Sequence, residues 1–395
     1  MNGRLIRILL VLLAAILAMG LSGCWNRKEV NNILIVLGAG IDSLPDGKIE
    51  LTAQFFNSAG KSSGGGGGGS EGKLAEASPG QTLVLSASGK TLFDAVHNLQ
   101  RKLPRTLFWG HNKTVIFGEK AAERGLKNDM DFFLRYSQTR ERTRVLVCEG
   151  TAKKLLGVKP AVEISSSISL MFLIEQQYGI DRNLKDLAEG ILGESHAIAL
   201  PYVKVGMNNI GSENIKTLRG CALLQDGRMK GYLNSNKTRG MLWAEDHSRW
   251  IKLSVPIGEG AAEGEKEGEN VNLQVVRSKS SFKPKIEKGV WKLEISVNAQ
   301  LYVIQNSSDL KISTPEAIRM VEQGNNRLIV RDIEETMEDL QKSNIDVLQV
   351  AQMFHRKYPK EWNKVKDRWS EQFPKVEITA KAESHILRTG MYSRP

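Results

Sequence analysis

The residue with the most specific chemistry in this sequence is Cys24, which closes the run Leu21-Ser22-Gly23-Cys24 directly after an apolar stretch. The thiol of a cysteine can be alkylated, and the thioether that forms can carry a diacylglyceryl group. Small residues in front of the cysteine let an extended peptide enter the cleft of a signal peptidase. Residue type and position together make Cys24 the first candidate for covalent modification.

The segment before Cys24 has the parts of a bacterial export leader, with Arg4 and Arg7 as its positive region. Its apolar core of about 14 residues is shorter than the roughly 20 that cross a bilayer comfortably. The run resembles the lipobox of bacterial lipoproteins, which implies that residues 1–23 are a signal peptide and that Cys24 becomes an acylated N-terminus. An uncleaved transmembrane helix and a plain secretory signal with an incidental cysteine are the alternatives.

The other reactive side chains form no recognisable catalytic or metal-binding pattern. No His-x-x-x-His or Cys-x-x-Cys spacing occurs, so we expect no metal ion and no cofactor. Ser195 precedes His196, but neighbours on a strand point to opposite faces, so we expect no nucleophile–base pair there. His111 is expected in a turn and His355 in helix packing or capping. The sequence therefore predicts no catalytic residue and no enzymatic activity.

The composition is that of a globular protein with hydrophobic cores of ordinary size, and the leader indicates that the protein is exported. The chain of 395 residues is 41% hydrophobic, which is material for two or three domains. No segment after the leader is apolar for long enough to span a membrane, so we expect residues 25–395 on its outer side. The net charge is +11, but export argues against nucleic acid as the partner that this charge would attract. The positive charge then either keeps the surface solvated or attracts anionic lipid. Cys148 and Cys221 lie in predicted buried strands and are expected to be free thiols.

Hydrophobic periodicity predicts strands and helices in both halves, and hence an α+β fold with largely antiparallel sheets. We place one or two N-terminal α+β domains at 24–206, with a hairpin turned at Asp46-Gly47, a helix at 184–192 and a flexible Gly-rich insertion at 58–80. A C-terminal α+β domain follows at 214–385. Its antiparallel sheet is predicted to have strands at 271–280, 281–287 and 290–304, and its helices lie at about 315–372, the first beginning at Pro315 after Ser313-Thr314. Trp362 and Trp369 are seven residues apart on a predicted helix and share a face, which indicates either core packing or an aromatic anchor for a partner.

Several short motifs follow one another along the chain in a specific order. They are Gly23-Cys24-Trp25-Asn26-Arg27 with the strand 33–41, Phe108-Trp109-Gly110-His111-Asn112-Lys113, the hairpin of 220–223 and 231–233, and the C-terminal set Ile345-Asp346-Val347-Leu348, His355, Tyr358-Pro359, Glu361-Trp362, Trp369 and Phe373-Pro374. In order and spacing this set resembles the spore germination lipoprotein family, the Ger(x)C-type C subunits of nutrient germinant receptors. The likeness covers nearly all of residues 22–385.

The resemblance implies a role without catalysis. Receptors of this type combine a polytopic A subunit, a transporter-like B subunit that senses the nutrient, and a lipid-anchored C subunit at the spore inner membrane. The resemblance therefore implies that the partners are the membrane and the other receptor subunits. It implies no nucleic acid and no small-molecule ligand for this subunit. A solute-binding lipoprotein that delivers a nutrient to a transporter is the first alternative function. A spore-wall hydrolase is the second.

Overall fold

The computed structural model describes residues 32–56, 82–160, 162–176, 179–207, 214–245, 248, 251–257 and 270–390, together with residues 3, 8–11 and 13. Within this part of the chain the backbone forms two β-sheets and the helices that cover them. We refer to the first sheet with its helices as the N-terminal half, and to the second sheet with its helices as the C-terminal half.

The N-terminal half alternates short strands with short helices. Its strands are β1 (Ile33–Ser43), β2 (Ile49–Phe56), β3 (Thr82–Gly89), β4 (Thr106–Phe108), β5 (Thr114–Gly118), β6 (Arg144–Cys148), β7 (Ala197–Met207), β8 (Asn214–Gln225) and β9 (Arg228–Asn234). Its helices are α1 (Leu92–Gln100), α2 (Glu119–Arg124), α3 (Lys127–Arg135), α4 (Ala152–Gly157), α5 (Ser166–Glu175) and α6 (Leu184–Leu192). The strand order is β3-β2-β1-β5-β6-β7-β8-β9, with β4 paired to the start of β1.

The centre of this sheet is parallel, and its flanks are antiparallel. Strands β1, β5, β6 and β7 run in one direction, because helices carry the chain back to the same end after β5 and after β6. The outer strands β2, β3, β8 and β9 pair antiparallel. The predicted α+β class is confirmed. The predicted antiparallel pairing holds for the flanks, whereas the centre is parallel.

The central strands are buried on both faces, as parallel strands usually are. In β6, Val145 and Val147 belong to a core with Leu99, Phe133 and other apolar residues on one face of the sheet. Leu146 and Cys148 point to the opposite face, into a core with residues of α4 and α5. The run from 145 to 148 is therefore continuously apolar rather than alternating.

The C-terminal half combines a four-stranded sheet with the longest helix of the described chain. Its strands are β10 (Lys252–Pro256), β11 (Asn270–Glu287), β12 (Val290–Asn306) and β13 (Glu377–Arg388), in the order β10-β11-β12-β13. Its helices are α7 (Ser235–Ala244), α8 (Pro315–Ser343), α9 (Val350–Lys357), α10 (Pro359–Val365) and α11 (Trp369–Gln372), with single 3-10 turns at Lys366–Arg368 and Phe373–Lys375.

Strand β11 is longer than the sequence pattern predicts. The predicted strands 271–280 and 281–287 form one continuous β11, because outward and inward side chains alternate across Ser280 and Ser281 without a break. The chain reverses instead at Lys288 and Gly289, whose φ angles are 50° and 83°. Two residues with positive φ suit a tight hairpin, and β12 pairs antiparallel with β11 from that point.

Helix α8 begins as the sequence predicts. Thr314 caps its N-terminus by accepting a hydrogen bond from the amide of Ala317, and Pro315 occupies the first turn. The helix packs along β13, the edge strand of the sheet. The predicted antiparallel pairing holds from β10 to β12, whereas β13 pairs parallel with β12, because α8 to α11 carry the chain back to the end where β12 begins. Glu322 accepts a hydrogen bond from the amide of Ile386 at 2.8 Å, and Glu334 accepts one from the amide of Ala380 at 3.4 Å.

Two predicted hairpins are confirmed, and two other predictions fall outside the described residues. Asp226 and Gly227 turn the chain between β8 and β9 with φ angles of 53° and 76°, and β1 and β2 also pair as predicted. The Gly-rich insertion at 58–80 is not described. The predicted joint after 206 is mostly undescribed, and β8 and β9, which lie beyond it, complete the first sheet. The division into domains stays a prediction.

Candidate functional site

Cys24, the site residue predicted from the sequence, lies outside the described residues. The described chain resumes at Asn32 and enters β1 at Ile33. No helix among the described residues is both long and apolar enough to cross a membrane. The lipid modification of Cys24 therefore stays a prediction from the sequence.

A cleft of about 610 Å³ lies where the two halves of the molecule meet. Helix α6 and its flanks form one wall, and the segment from Val347 to α9 forms the other. Most of its polar lining is charged or amide: Arg182, Asp186, Glu189, Glu245, Gln349, Gln352 and Arg356. Leu192 also lines the cleft, and it is 73% exposed at the end of α6. The cleft is a polar groove with one prominent apolar side chain.

Gln349 joins the two halves at the floor of this cleft. Its Oε1 accepts a hydrogen bond from Ser195 Oγ at 2.6 Å, and its Nε2 donates one to the carbonyl oxygen of Ala197 at 2.6 Å. Gln349 has a left-handed backbone, with φ of 59°, immediately before α9. This one side chain therefore satisfies a donor and an acceptor of the segment that leads into β7.

Two side-chain contacts reinforce the same junction. Arg182 binds both carboxylate oxygens of Glu245 at 2.6 and 2.7 Å, and both side chains are mostly buried. His355 Nδ1 lies 2.8 Å from Glu194 Oε1, and the imidazole ring stacks on Trp362 with centroids 5.8 Å apart. His355 thus has the packing role expected from the sequence, with a carboxylate partner from the other half.

Asp346 fixes the start of α9 from inside the core. Its two carboxylate oxygens accept hydrogen bonds from the amides of Val350 and Ala351, both at 2.8 Å, and from Trp369 Nε1 at 3.1 Å. Burial raises the pKa of this carboxyl to about 7, against the lowering effect of those three donors. The sequence marked the run containing Asp346 as a motif, and the structure supplies its role, which is to hold the helix that carries Gln349.

Trp362 and Trp369 belong to the core. They are 1% and 7% exposed, and their ring centroids lie 5.1 Å apart. Trp369 also packs against Trp291 and Phe354. Of the two interpretations offered by the sequence, core packing is the one that the structure bears out, although a 3-10 turn separates the two tryptophans rather than one continuous helix.

The side chains weighed as catalytic candidates are engaged in structural bonds. Ser195 donates to Gln349, while His196 Nδ1 lies 3.0 Å from the carbonyl oxygen of Ile191, so the two do not pair. Within the described ranges, no three His, Cys, Asp or Glu residues come together as a metal site. Cys148 and Cys221 are free and buried, and burial raises the pKa of both thiols, that of Cys221 to about 12.

Two family models divide nearly the whole chain between them. The model described as the spore germination protein N-terminal domain matches residues 26–205. The model described as spore germination B3/GerAC like, C-terminal, matches residues 219–390. The chain belongs to the GerAC family of spore germination proteins. The resemblance drawn from the sequence motifs is confirmed.

Members of the GerAC family match this chain from end to end. Spore germination protein KC of Bacillus subtilis (strain 168) is 25% identical over 98% of this chain and 97% of its own. Spore germination protein B3 of the same organism is 23% identical over 94% and 95%. The crystal structure of the GerBC protein superposes with a TM-score of 0.56, covering 89% of this chain and 97% of that one at 19% identity, which supports the fold.

Proposed function

We propose that this protein is the lipid-anchored, non-catalytic subunit of a nutrient germinant receptor at the spore inner membrane. In this role Cys24 carries the diacylglyceryl and N-acyl groups, and the α+β body lies on the outer, non-cytoplasmic face beside polytopic A and transporter-like B subunits. Its contribution is to receptor assembly and signalling rather than to a chemical reaction.

The observation that carries the proposal is the pairing of a full-length GerAC match with the run Leu21-Ser22-Gly23-Cys24. Two acyl chains anchor a protein stably, whereas one chain holds it only marginally. The state of the reactive side chains favours a non-catalytic role, since Ser195, His196 and His355 each bond to structural partners.

Replacing Cys24 with alanine tests the anchor. We expect Cys24→Ala to remove the protein from the spore membrane fraction and to abolish or strongly slow nutrient-triggered germination, because the tether no longer raises its concentration beside membrane partners. Membrane fractionation and the fall in optical density after nutrient addition measure the two effects.

Ser22→Ala is the matched control, because it keeps a small residue in the leader and leaves the thiol in place. It should behave as the native protein. Normal germination and normal membrane retention of Cys24→Ala, with the protein present at native amounts, would refute the anchoring proposal.

The cleft between the halves supports a second candidate, a solute-binding role. Its volume of about 610 Å³ falls within the range of small-molecule sites, roughly 300–1,000 Å³. Arg356 on the α9 wall, with Asp186 and Glu189 on the α6 wall, offers partners for a zwitterion. Calorimetry of the purified protein against amino acids and sugars tests this candidate. Micromolar binding that Arg356→Gln weakens would establish it, and no heat of binding would reject it.

A further inference from the structure

The position at which the predicted lipid tether joins the fold restricts what can face the membrane. β1 begins at Ile33, which pairs in parallel with Thr106 of β4. At no more than about 3.6 Å per residue, the stretch from Cys24 to Ile33 spans at most about 32 Å. The end of the sheet where β1 begins therefore stays within about 32 Å of the bilayer whenever Cys24 is acylated.

The segments that precede β4, β5 and β6 lie toward this same end, because these strands run parallel to β1. They are residues 101–105, 109–113 and 136–143, and we call them together the tether end. Hydrogen bonds join them. Gln100 binds the backbone on both sides of Thr106, at Arg105 and Leu107. Gln138 accepts from the amide of Trp109, and Thr143 Oγ1 donates to the carbonyl oxygen of Asn112.

The tether end is strongly basic. Its cations are Arg101, Lys102, Arg105, Lys113, Arg140 and Arg142, and its one carboxylate is Glu141. Arg101, Arg140 and Arg142 are exposed, and none of the three has a carboxylate partner within the described part of the chain. The segment before β7 adds Glu194, whose carboxylate contacts His355 Nδ1.

The opposite end of the same strands carries charges of both signs. Ion pairs there join Asp46 to Lys48, Glu50 to Lys153, and Glu149 to Arg219. Four lysines are exposed at that end and form no ion pair within the described residues, namely Lys90, Lys120, Lys154 and Lys204. The asymmetry therefore lies in the carboxylates, because the three segments of the tether end hold six cations and one carboxylate. If these cations only kept the surface solvated, nothing would require them to lie at the end of the sheet from which the tether departs.

We propose that the tether end docks on anionic phospholipid headgroups and so sets the orientation of the whole protein at the membrane. The inference rests on the proposed acylation of Cys24, which brings the basic segments within reach of the bilayer. Once there, the cations lie inside the Debye length of about 8–10 Å over which the negative surface acts. Each cation in contact strengthens docking roughly fivefold at low salt.

Energy transfer from the protein to labelled lipid tests the orientation. The acylated full-length chain is reconstituted in phosphatidylcholine vesicles with or without phosphatidylglycerol, which carry a headgroup-labelled acceptor lipid. One variant, Ser137→Cys, takes the donor dye at the tether end, and another, Lys120→Cys, takes it after β5 at the opposite end. Cys148 and Cys221 stay unlabelled because they are buried.

With phosphatidylglycerol, transfer from position 137 should clearly exceed transfer from position 120, and high salt should reduce the difference. The triple variant R101Q/R140Q/R142Q should abolish it. The matched control R277Q/K279Q/K285Q removes three exposed cations from β11 in the C-terminal half and should leave it intact. Equal transfer from both positions, or a triple variant indistinguishable from the control, would overturn the proposal.

Mass spectrometry of the purified chain separates the two ways in which the proposal can fail. A thiol that carries no diacylglyceryl group would refute the proposed anchoring and this inference together. An acylated chain that shows no preferred orientation would refute the docking surface alone and leave the proposed function standing.

Discussion

Asp346 is the residue whose local environment has the clearest measurable consequence. Burial raises the pKa of its carboxyl to about 7 from an ordinary 3.8. The native state therefore binds a proton more tightly than the unfolded state does, so this group's contribution to stability decreases as pH rises between those two values. Above about pH 7 the carboxylate is ionised in both states, and the contribution stays constant.

Asp346→Asn removes this titration. We expect the free energy of unfolding of the native protein to lose on the order of 3 kcal/mol from this group between about pH 4 and pH 8, and the variant to lack that component. Urea unfolding across this pH range measures the difference. Asp367→Asn, an exposed carboxyl on the adjoining 3-10 turn, is the control and should leave the pH dependence unchanged. Parallel pH profiles for native protein and Asp346→Asn would contradict the assignment.

For single residues, the sequence indicated which positions belong to a motif, but it did not indicate what each residue contacts in the fold. It marked the run from Ile345 to Leu348 as characteristic and Cys24 as reactive. It could not show that Asp346 binds Trp369, because that contact joins residues 23 positions apart through a tertiary fold. It also could not single out Gln349, whose partners Ser195 and Ala197 lie more than 150 positions earlier. Glutamine occurs too widely for its type alone to indicate a bridge.

Helix α9 is one of the elements that connect the halves, through Gln349 at its start and His355 in its body. We expect Gln349→Ala to lower the free energy of unfolding by about 1–3 kcal/mol, because Ser195 Oγ and the carbonyl oxygen of Ala197 lose their partner. Gln352→Ala alters the same cleft at a side chain without a hydrogen bond among the described residues, and should cost much less. Equal losses from the two variants, measured by urea unfolding, would show that the bridge is not stabilising.

The stability of helices α9 to α11 depends on the buried rings of Trp291, Phe354, Trp362 and Trp369, which pack together. Trp362→Ala should cost about 3–5 kcal/mol, because it removes a large side chain that is almost fully enclosed. Phe93→Ala on α1 removes an aromatic ring that is 64% exposed and should change stability by no more than about 0.5 kcal/mol. Thermal unfolding of the two variants side by side measures the contrast. A small effect at Trp362 would revive the interpretation of an aromatic anchor at the surface.

Elements with local signals were predicted well. The cap at Thr314, the turn at Asp226-Gly227 and the bounds of α6 all rest on residues close together in sequence. Pairing between distant strands was predicted less well. The parallel centre of the first sheet depends on where α2 to α6 return the chain, and a short apolar run such as 145–148 reads alike in parallel and antiparallel sheets.

At the scale of the whole molecule, the α+β body is one structure in which the halves share a core. Ala199 and Cys221 of the first sheet belong to the same apolar cluster as Trp243 and Leu293 of the C-terminal half. A surface that orients the N-terminal half on a membrane therefore also fixes the direction in which the C-terminal half projects. The net charge of +11 does not reveal the basic tether end. Basic residues are spread along the whole sequence, and only the fold brings some of them together.

The contact between α8 and β13 has a consequence for self-association. An edge strand with open amides is a template on which a second copy can add a strand, and tethered molecules that share one membrane meet far more often than free ones. In the C-terminal sheet the carboxylates of Glu322 and Glu334 already occupy the amides of Ile386 and Ala380. If the protein is anchored as proposed, two amides of its last strand are therefore unavailable to a neighbouring copy on the same membrane.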